Sequence, residues 1–354
     1  MTGGAVLILR ERQPLGSSIW LSFADISREY FGFDGWHHQP METLIPASHL
    51  FLARWGYMQT IARPERIRLN SIESSDWLSF TKTWFILDPP PRIEKVSHPA
   101  TFPTKLARDF INFFTKPGDW VIDPFLGSGS TLVAGRTLRR NGVGIELYRH
   151  FSRLARRCIA GTTGDTRNVV LQGDASKVLP LLRQRGFPEM DFCLTSPPYW
   201  CQLNAKASTN EKAQERSANG LRVCYGDDTR DLGNIQDYGT FISRQEEVFR
   251  KLLDVMKVNS YMVVITNNVY RNGRLYPLAF DTLKSLSKFW TPKDEKIWCQ
   301  NDKRLRPFGM FHSYIGNRSH HYCLVFKKES QFLASQESTP SPKYRLALPE
   351  SAAK

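Results

Sequence analysis

The sequence predicts an α/β fold, with a doubly wound, Rossmann-like sheet of seven mostly parallel strands that ends in an antiparallel hairpin, plus a small N-terminal subdomain. Two observations support this prediction. Four short apolar segments between residues 120 and 195 alternate with segments of helical hydrophobic spacing, which is typical of parallel sheets covered by helices. The first apolar segment also leads through a glycine-containing turn into a helix, the order found in nucleotide-binding folds.

The chain is predicted to consist of three parts. Residues 1–97 combine many aromatic side chains with no net charge, which favours packing in a subdomain and leaves nucleic-acid contacts open. Residues 98–328 form the main domain. It contains a polar loop insertion at 201–236, which is either a lid over a bound substrate or a tolerated disordered insertion. Residues 329–354, rich in Ser, Pro, Ala and Gln, are expected to form a disordered tail.

Charge and cysteine content restrict the kinds of partner and compartment. Lys and Arg number 48 against 34 Asp and Glu, a formal net charge of +14 that indicates a polyanionic partner. The six cysteines include no C-x-x-C pair, which argues against a zinc site and a disulfide framework. No apolar run approaches the ~18 residues of a membrane span, and no signal-peptide pattern is present. We therefore expect no metal, no membrane contact and a cytoplasmic location.

The first strand of the main domain begins at Trp120 and ends in a turn with two glycines, ahead of a helix over 130–140. Gly127 and Gly129 let the backbone approach a ligand closely, because neither has a β-carbon. A second strand over 143–147 includes Glu146, 23 residues after Asp123. An acidic residue at about this distance binds ribose hydroxyls in nucleotide-binding folds.

Two further strands complete the first half of the predicted sheet. The strand over 169–173 ends at Asp174, whose carboxylate could accept a hydrogen bond from an adenine amino group. The strand over 191–194 leads into TSPPYW at 195–200. Its two prolines fix φ and donate no backbone hydrogen bond, so the turn presents carbonyl acceptors beside an aromatic ring. This arrangement fits an exocyclic amino group on a flat base, and an ordinary proline turn is the alternative.

The second half supplies the remaining strands. Asp237 is predicted to cap an amphipathic helix, and strands are expected over 261–266, 296–300 and 321–327. The last two pair as the antiparallel hairpin. His320 and His321 are adjacent on a strand and point to opposite faces, which argues against a shared metal ion.

Taken together, TSPPYW, DPFLGSGST (123–131) and HPATFP (98–103) resemble the amino-methylating DNA methyltransferases of prokaryotes and phages, over roughly 98–328. The resemblance implies S-adenosylmethionine as the cofactor, double-stranded DNA as the partner and direct methyl transfer to a flipped base. It implies a catalytic turn of Ser196, Pro197, Pro198 and Tyr199. It also implies that the cofactor contacts His98, Phe102, Pro103, Asp123, Phe125, Gly127, Ser128 and Gly129, with Glu146 at the ribose and Asp174 at the adenine.

Serine at position 196 resembles the members that act on the 4-amino group of cytosine. The 6-amino group of adenine is the alternative, and RNA or a protein glutamine is a more distant one. Methylation at carbon 5 of cytosine is disfavoured because that reaction needs a Pro-Cys motif, which the sequence lacks. The resemblance also suggests a role in restriction-modification or in DNA protection in a prokaryotic or phage-infected cell. It suggests a cognate restriction endonuclease, with the methyltransferase itself a monomer or homodimer.

No separate target-recognition segment follows the last strand. Recognition is therefore expected in 1–97, in the 201–236 loop or in the basic segment 268–320. Arginine is the commonest side chain for reading guanine, although most arginines at DNA interfaces contact phosphate. The predicted DNA contacts are Trp200, Arg271, Arg274, Arg304 and Arg306.

Overall fold

The computed structural model describes residues 69–88, 102–202, 226–301, 303, 305 and 314–330. The chain divides into two compact units, Met1–Arg66 and Ile67–Lys354, and every described residue lies in the second unit. The boundary predicted from the sequence falls between residues 97 and 98, downstream of this division.

Helices and strands alternate along the described chain. The helices are α1 (Ser74–Phe80), α2 (Thr104–Phe114), α3 (Ser130–Thr137), α4 (Arg149–Ala160), α5 (Ala175–Val178), α6 (Tyr238–Leu252) and α7 (Leu278–Leu286). The strands are β1 (Trp84–Ile86), β2 (Trp120–Asp123), β3 (Asn141–Glu146), β4 (Asn168–Gln172), β5 (Met190–Thr195), β6 (Met256–Thr266), β7 (Val269–Arg271), β8 (Arg274–Tyr276), β9 (Thr291–Cys299) and β10 (His320–Lys327). Short 3-10 turns occur at Leu179–Leu181, Leu232–Asn234 and Leu253–Val255.

The main sheet has the strand order β1-β9-β10-β6-β5-β2-β3-β4. All neighbouring pairs are parallel except those of β10, which runs antiparallel to both β6 and β9. The predicted doubly wound, mostly parallel sheet with a terminal antiparallel hairpin is therefore confirmed.

The strand count differs from the prediction, because the sheet contains eight strands instead of seven. β1 pairs in parallel with β9, with Trp84 opposite Ile297. The Trp298 indole nitrogen donates to the carbonyl of Leu87 at 2.7 Å, just beyond this strand. A three-residue strand is too short to show period-two alternation, and its partner lies more than 200 residues later in the chain. Local pattern therefore gave no signal for it.

The chain reverses the direction in which it adds strands next to β2. After β2 it adds β3 and β4 on one side, and it then returns to add β5 and β6 on the other. The loops at the carboxyl ends of β2 and β5 therefore diverge and leave a crevice between them. In doubly wound folds this switch point is where ligands bind.

Two hydrophobic cores cover the two faces of the sheet. Because neighbouring strand residues point to opposite faces, Ile122 packs in one core with Phe249, whereas Val121 packs in the other with Phe110. α2 packs on the second face, as its helical spacing predicts, and its Phe114 ring stacks on Phe192 of β5 at 5.1 Å. The central strands are thus held rigidly beneath the crevice.

A two-stranded hairpin of β7 and β8 follows the carboxyl end of β6. Its turn is Asn272-Gly273, and both residues have positive φ, 51° and 74°. Asn-Gly is the dipeptide that two-residue hairpin turns favour, because both central residues adopt left-handed backbone angles. Asn272-Gly273 is therefore a sequence signal for this hairpin, which the predicted strands do not include.

Candidate active site

Asp123 ends β2 at the switch point, and its side chain is 1% exposed. Its Oδ1 accepts from the Phe125 backbone nitrogen at 3.0 Å and from Thr195 Oγ1 at 2.7 Å. Its Oδ2 accepts from Thr131 Oγ1 at 2.6 Å. The carboxylate therefore ties the ends of β2 and β5 to α3. Burial raises the pKa of Asp123 to about 6, against the opposing effect of these hydrogen bonds.

Glu146 ends the neighbouring strand β3 and is 8% exposed. Its Oε2 accepts from the Gly127 nitrogen at 2.9 Å and its Oε1 from the Tyr148 nitrogen at 2.8 Å. Each oxygen retains a second lone pair. Burial raises the pKa of Glu146 to about 7, and the negative charges of Asp231 and Asp123 act in the same direction. This carboxylate can accept two further hydrogen bonds, as a ribose diol requires.

The turn between β2 and α3 brings these acidic residues together. Gly127 has φ of 56° and donates its N–H to Glu146. Gly129 has φ of 95°, and a β-carbon there would lie 3.1 Å from Ala155 Cβ of α4. Gly129 is therefore required for helix packing and backbone angle, in addition to any approach of a ligand. Ser128 between them is buried.

Asp174 lies after β4 and caps α5, where its Oδ1 accepts from the Ser176 nitrogen at 2.8 Å. Across the same edge, Asp231 Oδ2 accepts from the Tyr148 hydroxyl at 2.9 Å. Gly226 passes so close to Tyr148 that a β-carbon would lie 2.4 Å from its ring. The described end of the predicted 201–236 loop is thus anchored at the edge that holds Glu146.

The carboxyl edge of the sheet at Asp123, Glu146 and Asp174 is acidic, although the whole chain is strongly basic. We call it the acidic edge. Among the residues that the structure describes, no cation forms an ion pair with Asp123 or Glu146. Buried carboxylates without a cation favour a ligand with positive charge and hydroxyl or amino donors. S-adenosylmethionine has a sulfonium, an ammonium, a ribose diol and an adenine amino group, so these residues fit it.

The catalytic turn predicted at Ser196–Tyr199 follows β5 on the other side of the crevice. Pro197 is buried, whereas Ser196, Pro198 and Tyr199 are half-buried. Ser196 Oγ lies 3.2 Å from the Tyr199 hydroxyl oxygen. Burial raises the pKa of Tyr199, so its hydroxyl stays neutral. Because Thr195 bonds to Asp123, the turn and the acidic edge form one continuous site.

His321 of β10 also reaches this turn, and the sequence analysis did not predict it as a site residue. Its Nδ1 lies 3.2 Å from the Tyr199 hydroxyl oxygen. Its ring stacks on Trp298 of β9, with centroids 4.6 Å apart and planes at 23°. The two contacting residues are 122 positions apart in sequence, so no local motif could have paired them.

The predicted DNA contact Trp200 is 6% exposed and has φ of 51°. Its indole packs against Tyr238 and Tyr276, with centroids 5.1 and 4.7 Å away. This burial leaves almost no surface for DNA, so the structure gives Trp200 a packing role. An aromatic residue next to a catalytic motif looks the same in the sequence whether it packs in the core or contacts DNA.

The predicted contacts Arg271 and Arg274 lie on the β7-β8 hairpin, beside the catalytic turn. The Arg271 guanidinium lies 4.9 Å from the Trp200 ring centroid and donates to Gln236 Oε1 at 3.1 Å. The Arg274 guanidinium lies 5.5 Å from the Tyr276 ring centroid. Arg274 is exposed, whereas Arg271 is half-buried.

Three predicted cofactor contacts lie beside the hydrophobic cores of the sheet or at the start of α2. Phe125 is half-buried and packs near Phe249, with centroids 6.2 Å apart. Phe102 packs against the core beneath α2, and Pro103 caps that helix. His98, Arg304 and Arg306 lie outside the described residues, as do 203–225 of the loop.

The described part of the chain contains neither a metal-binding cluster nor a membrane-spanning helix. No group of three or more His, Cys, Asp or Glu residues is placed there to hold a metal ion. None of the described helices has the length and apolar character needed to cross a membrane.

Parts of the chain are similar to known proteins. Residues 59–157 match the model of a family described as DNA methylase, and this segment includes Asp123, the glycine turn and Glu146. Among solved structures, TrmN from Thermus thermophilus has a TM-score of 0.39 at 16% identity, covering 64% of this chain and 48% of that one.

Three curated relatives match shorter segments. Type II methyltransferase M.MthZI of Methanothermobacter thermautotrophicus is 38% identical over 73 residues, 21% of each chain. M.BglI of Bacillus subtilis is 32% identical over 114 residues, 31% of this chain and 30% of the relative. M.Cfr9I of Citrobacter freundii is 43% identical over 74 residues, 21% and 24% respectively. The chain thus spans less than a third of the length of each of these relatives. The family model and these relatives together show that part of this chain is similar in sequence to DNA methyltransferases.

Proposed function

We propose that this protein is a site-specific DNA methyltransferase that transfers a methyl group from S-adenosylmethionine to the exocyclic 4-amino group of cytosine. The observation that supports this most is the joining of two half-sites at one switch point. The acidic edge with Asp123 and Glu146 meets the Ser196–Tyr199 turn through the hydrogen bond from Thr195 to Asp123. The first half-site suits the cofactor, and the second suits a planar amine.

The acidic edge would hold the cofactor. Glu146 would accept hydrogen bonds from the ribose hydroxyls and Asp174 from the adenine amino group, while the turn at Gly127 would lie along the methionine part. When bound, S-adenosylmethionine supplies an electrophilic methyl group on a positively charged sulfur. The buried carboxylates of Asp123 and Glu146 favour that positive charge in the crevice.

The catalytic turn would activate the amine. An exocyclic amino nitrogen is a poor nucleophile because its lone pair is delocalised into the base ring. By accepting hydrogen bonds from the amino hydrogens, Ser196 Oγ and the Pro197 carbonyl would favour the tetrahedral nitrogen of the transition state. Pro198 has no N–H that could compete for these acceptors. The half-exposed Tyr199 ring would stack on a base flipped out of the duplex.

The finer assignments are part of this proposal. Serine at position 196 supports cytosine over adenine, and the basic balance of the chain supports DNA as the partner. Target recognition would come from the N-terminal segment 1–97, the 201–236 loop or the basic segment around the β7-β8 hairpin. The relatives are named as type II methyltransferases, which supports a restriction-modification role with a cognate endonuclease in a prokaryotic cytoplasm.

The test is expression of the full chain in a host that lacks DNA methylation, followed by sequencing that distinguishes 4-methylcytosine from 6-methyladenine. The expected result is 4-methylcytosine at one short motif. The matched control is Tyr199→Ala, which should bind S-adenosylmethionine normally but leave the genome unmodified. Methylated adenine at one motif would reassign the base. An unmodified genome despite soluble, cofactor-binding protein would refute DNA as the substrate.

A further inference from the structure

Three side chains form a hydrogen-bonded chain that leads away from the proposed reaction centre. Ser196 Oγ lies 3.2 Å from the Tyr199 hydroxyl oxygen, which in turn lies 3.2 Å from His321 Nδ1. Stacking of the His321 ring on Trp298 fixes its plane. The proposed function uses the serine oxygen and the tyrosine ring, but it gives no role to the tyrosine hydroxyl or to the histidine.

The state of Nδ1 determines the direction of every hydrogen bond in this chain, because each hydroxyl has one hydrogen to donate. If Nδ1 accepts, the Tyr199 hydroxyl donates to it, and Ser196 donates to the tyrosine oxygen. Both serine lone pairs then remain available to accept from a substrate amino group. If Nδ1 carries a proton, Tyr199 donates to Ser196 instead, and the serine hydrogen is free to point at the substrate.

We infer that His321, with Nδ1 unprotonated, is a positioning residue that holds the Ser196 hydroxyl as an acceptor and receives the proton that the amine releases. This inference rests on the proposed function. As the nitrogen–methyl bond forms, the sulfur–methyl bond breaks and its electron pair stays on sulfur. The nitrogen then gives one proton to Ser196 Oγ, the serine proton passes to the Tyr199 oxygen, and the tyrosine proton passes to Nδ1. The imidazolium returns the proton to solvent.

Titratable groups near the Ser196–Tyr199–His321 hydrogen bonds could also change the pH dependence of activity. On β10, the neighbouring titratable groups are His320, Tyr322 and Cys323. Burial and then the positive charges of Lys303 and Arg318 lower the pKa of His320, and Lys296 of β9 lies close enough to Cys323 to affect its pKa. From the catalytic turn, Tyr199 faces His321. All these groups are kept in the histidine variants, so differences between their pH profiles report on position 321.

The test compares His321→Leu with His321→Asn, whose Oδ1 can accept near the position of Nδ1 but does not titrate. In the leucine variant we expect kcat to fall roughly 100-fold, with KM for DNA and cofactor changed less than about twofold. The asparagine variant should recover most of this loss at neutral pH. It should also change the shape of the wild-type pH profile of kcat, because an asparagine amide does not titrate.

A third variant, Tyr199→Phe, keeps the aromatic ring and removes both hydrogen bonds. It should lower kcat as His321→Leu does, and the double variant should be no slower than either single one, because all three break the same chain. Unchanged kcat in His321→Leu, or multiplied losses in the double variant, would overturn the inference.

A readout without turnover separates this inference from the proposed function. Nitrogen NMR of the wild-type protein at neutral pH should show Nδ1 of His321 unprotonated and Nε2 protonated. A protonated Nδ1 would overturn the inference even if the enzyme methylates DNA. A wild-type protein that methylates no DNA would refute the proposed function, and with it the proton transfer, while the NMR result still decides the direction of the hydrogen bonds.

Discussion

At the scale of single residues, Asp123 and Glu146 show two uses of a buried carboxylate. Asp123 accepts three hydrogen bonds from protein groups in two strand ends and a helix, so its first role is to hold the switch point together. From the residues that the structure describes, Glu146 accepts two, both from backbone nitrogens of neighbouring turns. Glu146 is therefore the carboxylate with the larger remaining capacity for a ligand.

The first prediction concerns the pH dependence of cofactor binding. Burial raises the pKa of Glu146 to about 7, whereas ribose hydroxyls donate best to the ionised carboxylate. Binding should therefore lower this pKa and release a proton, and affinity should rise about tenfold from pH 6 to pH 8. Calorimetry at pH 6 and pH 8 would measure the change in affinity. Repeating it in two buffers of different ionisation enthalpy would measure the proton release. In Glu146→Gln the affinity should be weaker and nearly flat with pH, and a flat wild-type profile would contradict the assignment.

The sequence predicted the residues of this site that depend on local order. Asp123 and Glu146 end β2 and β3, and Asp174 lies two residues after the end of β4, so all three lie at the carboxyl edge of the sheet. His321 could not be predicted, because it reaches the turn only through the pairing of β10 with β6 and β9. Trp200 was predicted as a DNA contact, but a packing partner such as Tyr276 is visible only once the hairpin has folded beside it.

At the scale of elements, the β7-β8 hairpin is the part of the described chain that we propose as a DNA contact. Two residues separate it from the end of β6, so it lies at the edge that holds the catalytic turn. Its two arginines differ in their contacts and exposure. Arg271 is engaged by Trp200 and Gln236, whereas Arg274 is exposed and free to meet a phosphate. The hairpin and β1 are both three-residue pairings, which period-two patterns do not predict well.

The second prediction therefore concerns Arg274. Arg274→Ala should weaken DNA binding for all sequences alike and lower the slope of log affinity against log salt by about 1. The free energy of unfolding should change by less than about 0.5 kcal/mol, because the side chain is exposed. Arg183→Ala is the matched control. Arg183 pairs with Glu189 just before the amino end of β5, at the opposite edge of the sheet. Anisotropy titrations at several salt concentrations would test both variants, and equal slopes for them would exclude this hairpin contact.

At the scale of the whole molecule, charge is divided between two kinds of site. The chain has a formal net charge of +14, yet the crevice is lined by the buried carboxylates Asp123 and Glu146, with Asp231 anchored beside them. A basic surface attracts a polyanion by long-range forces that salt screens. A buried acidic crevice attracts a small cation at short range, and salt screens this attraction less.

The third prediction follows from this division. Between about 50 and 200 mM salt, affinity for a DNA duplex should fall by roughly 100-fold or more, because several phosphate contacts release counterions. Affinity for S-adenosylmethionine should change by less than about twofold over the same range, because the interactions at Glu146 and Asp123 are screened little. Parallel titrations of one protein preparation with each ligand would measure both dependences. A steep salt dependence of cofactor binding would show that the cofactor meets an exposed charged surface instead of the buried carboxylates at the switch point.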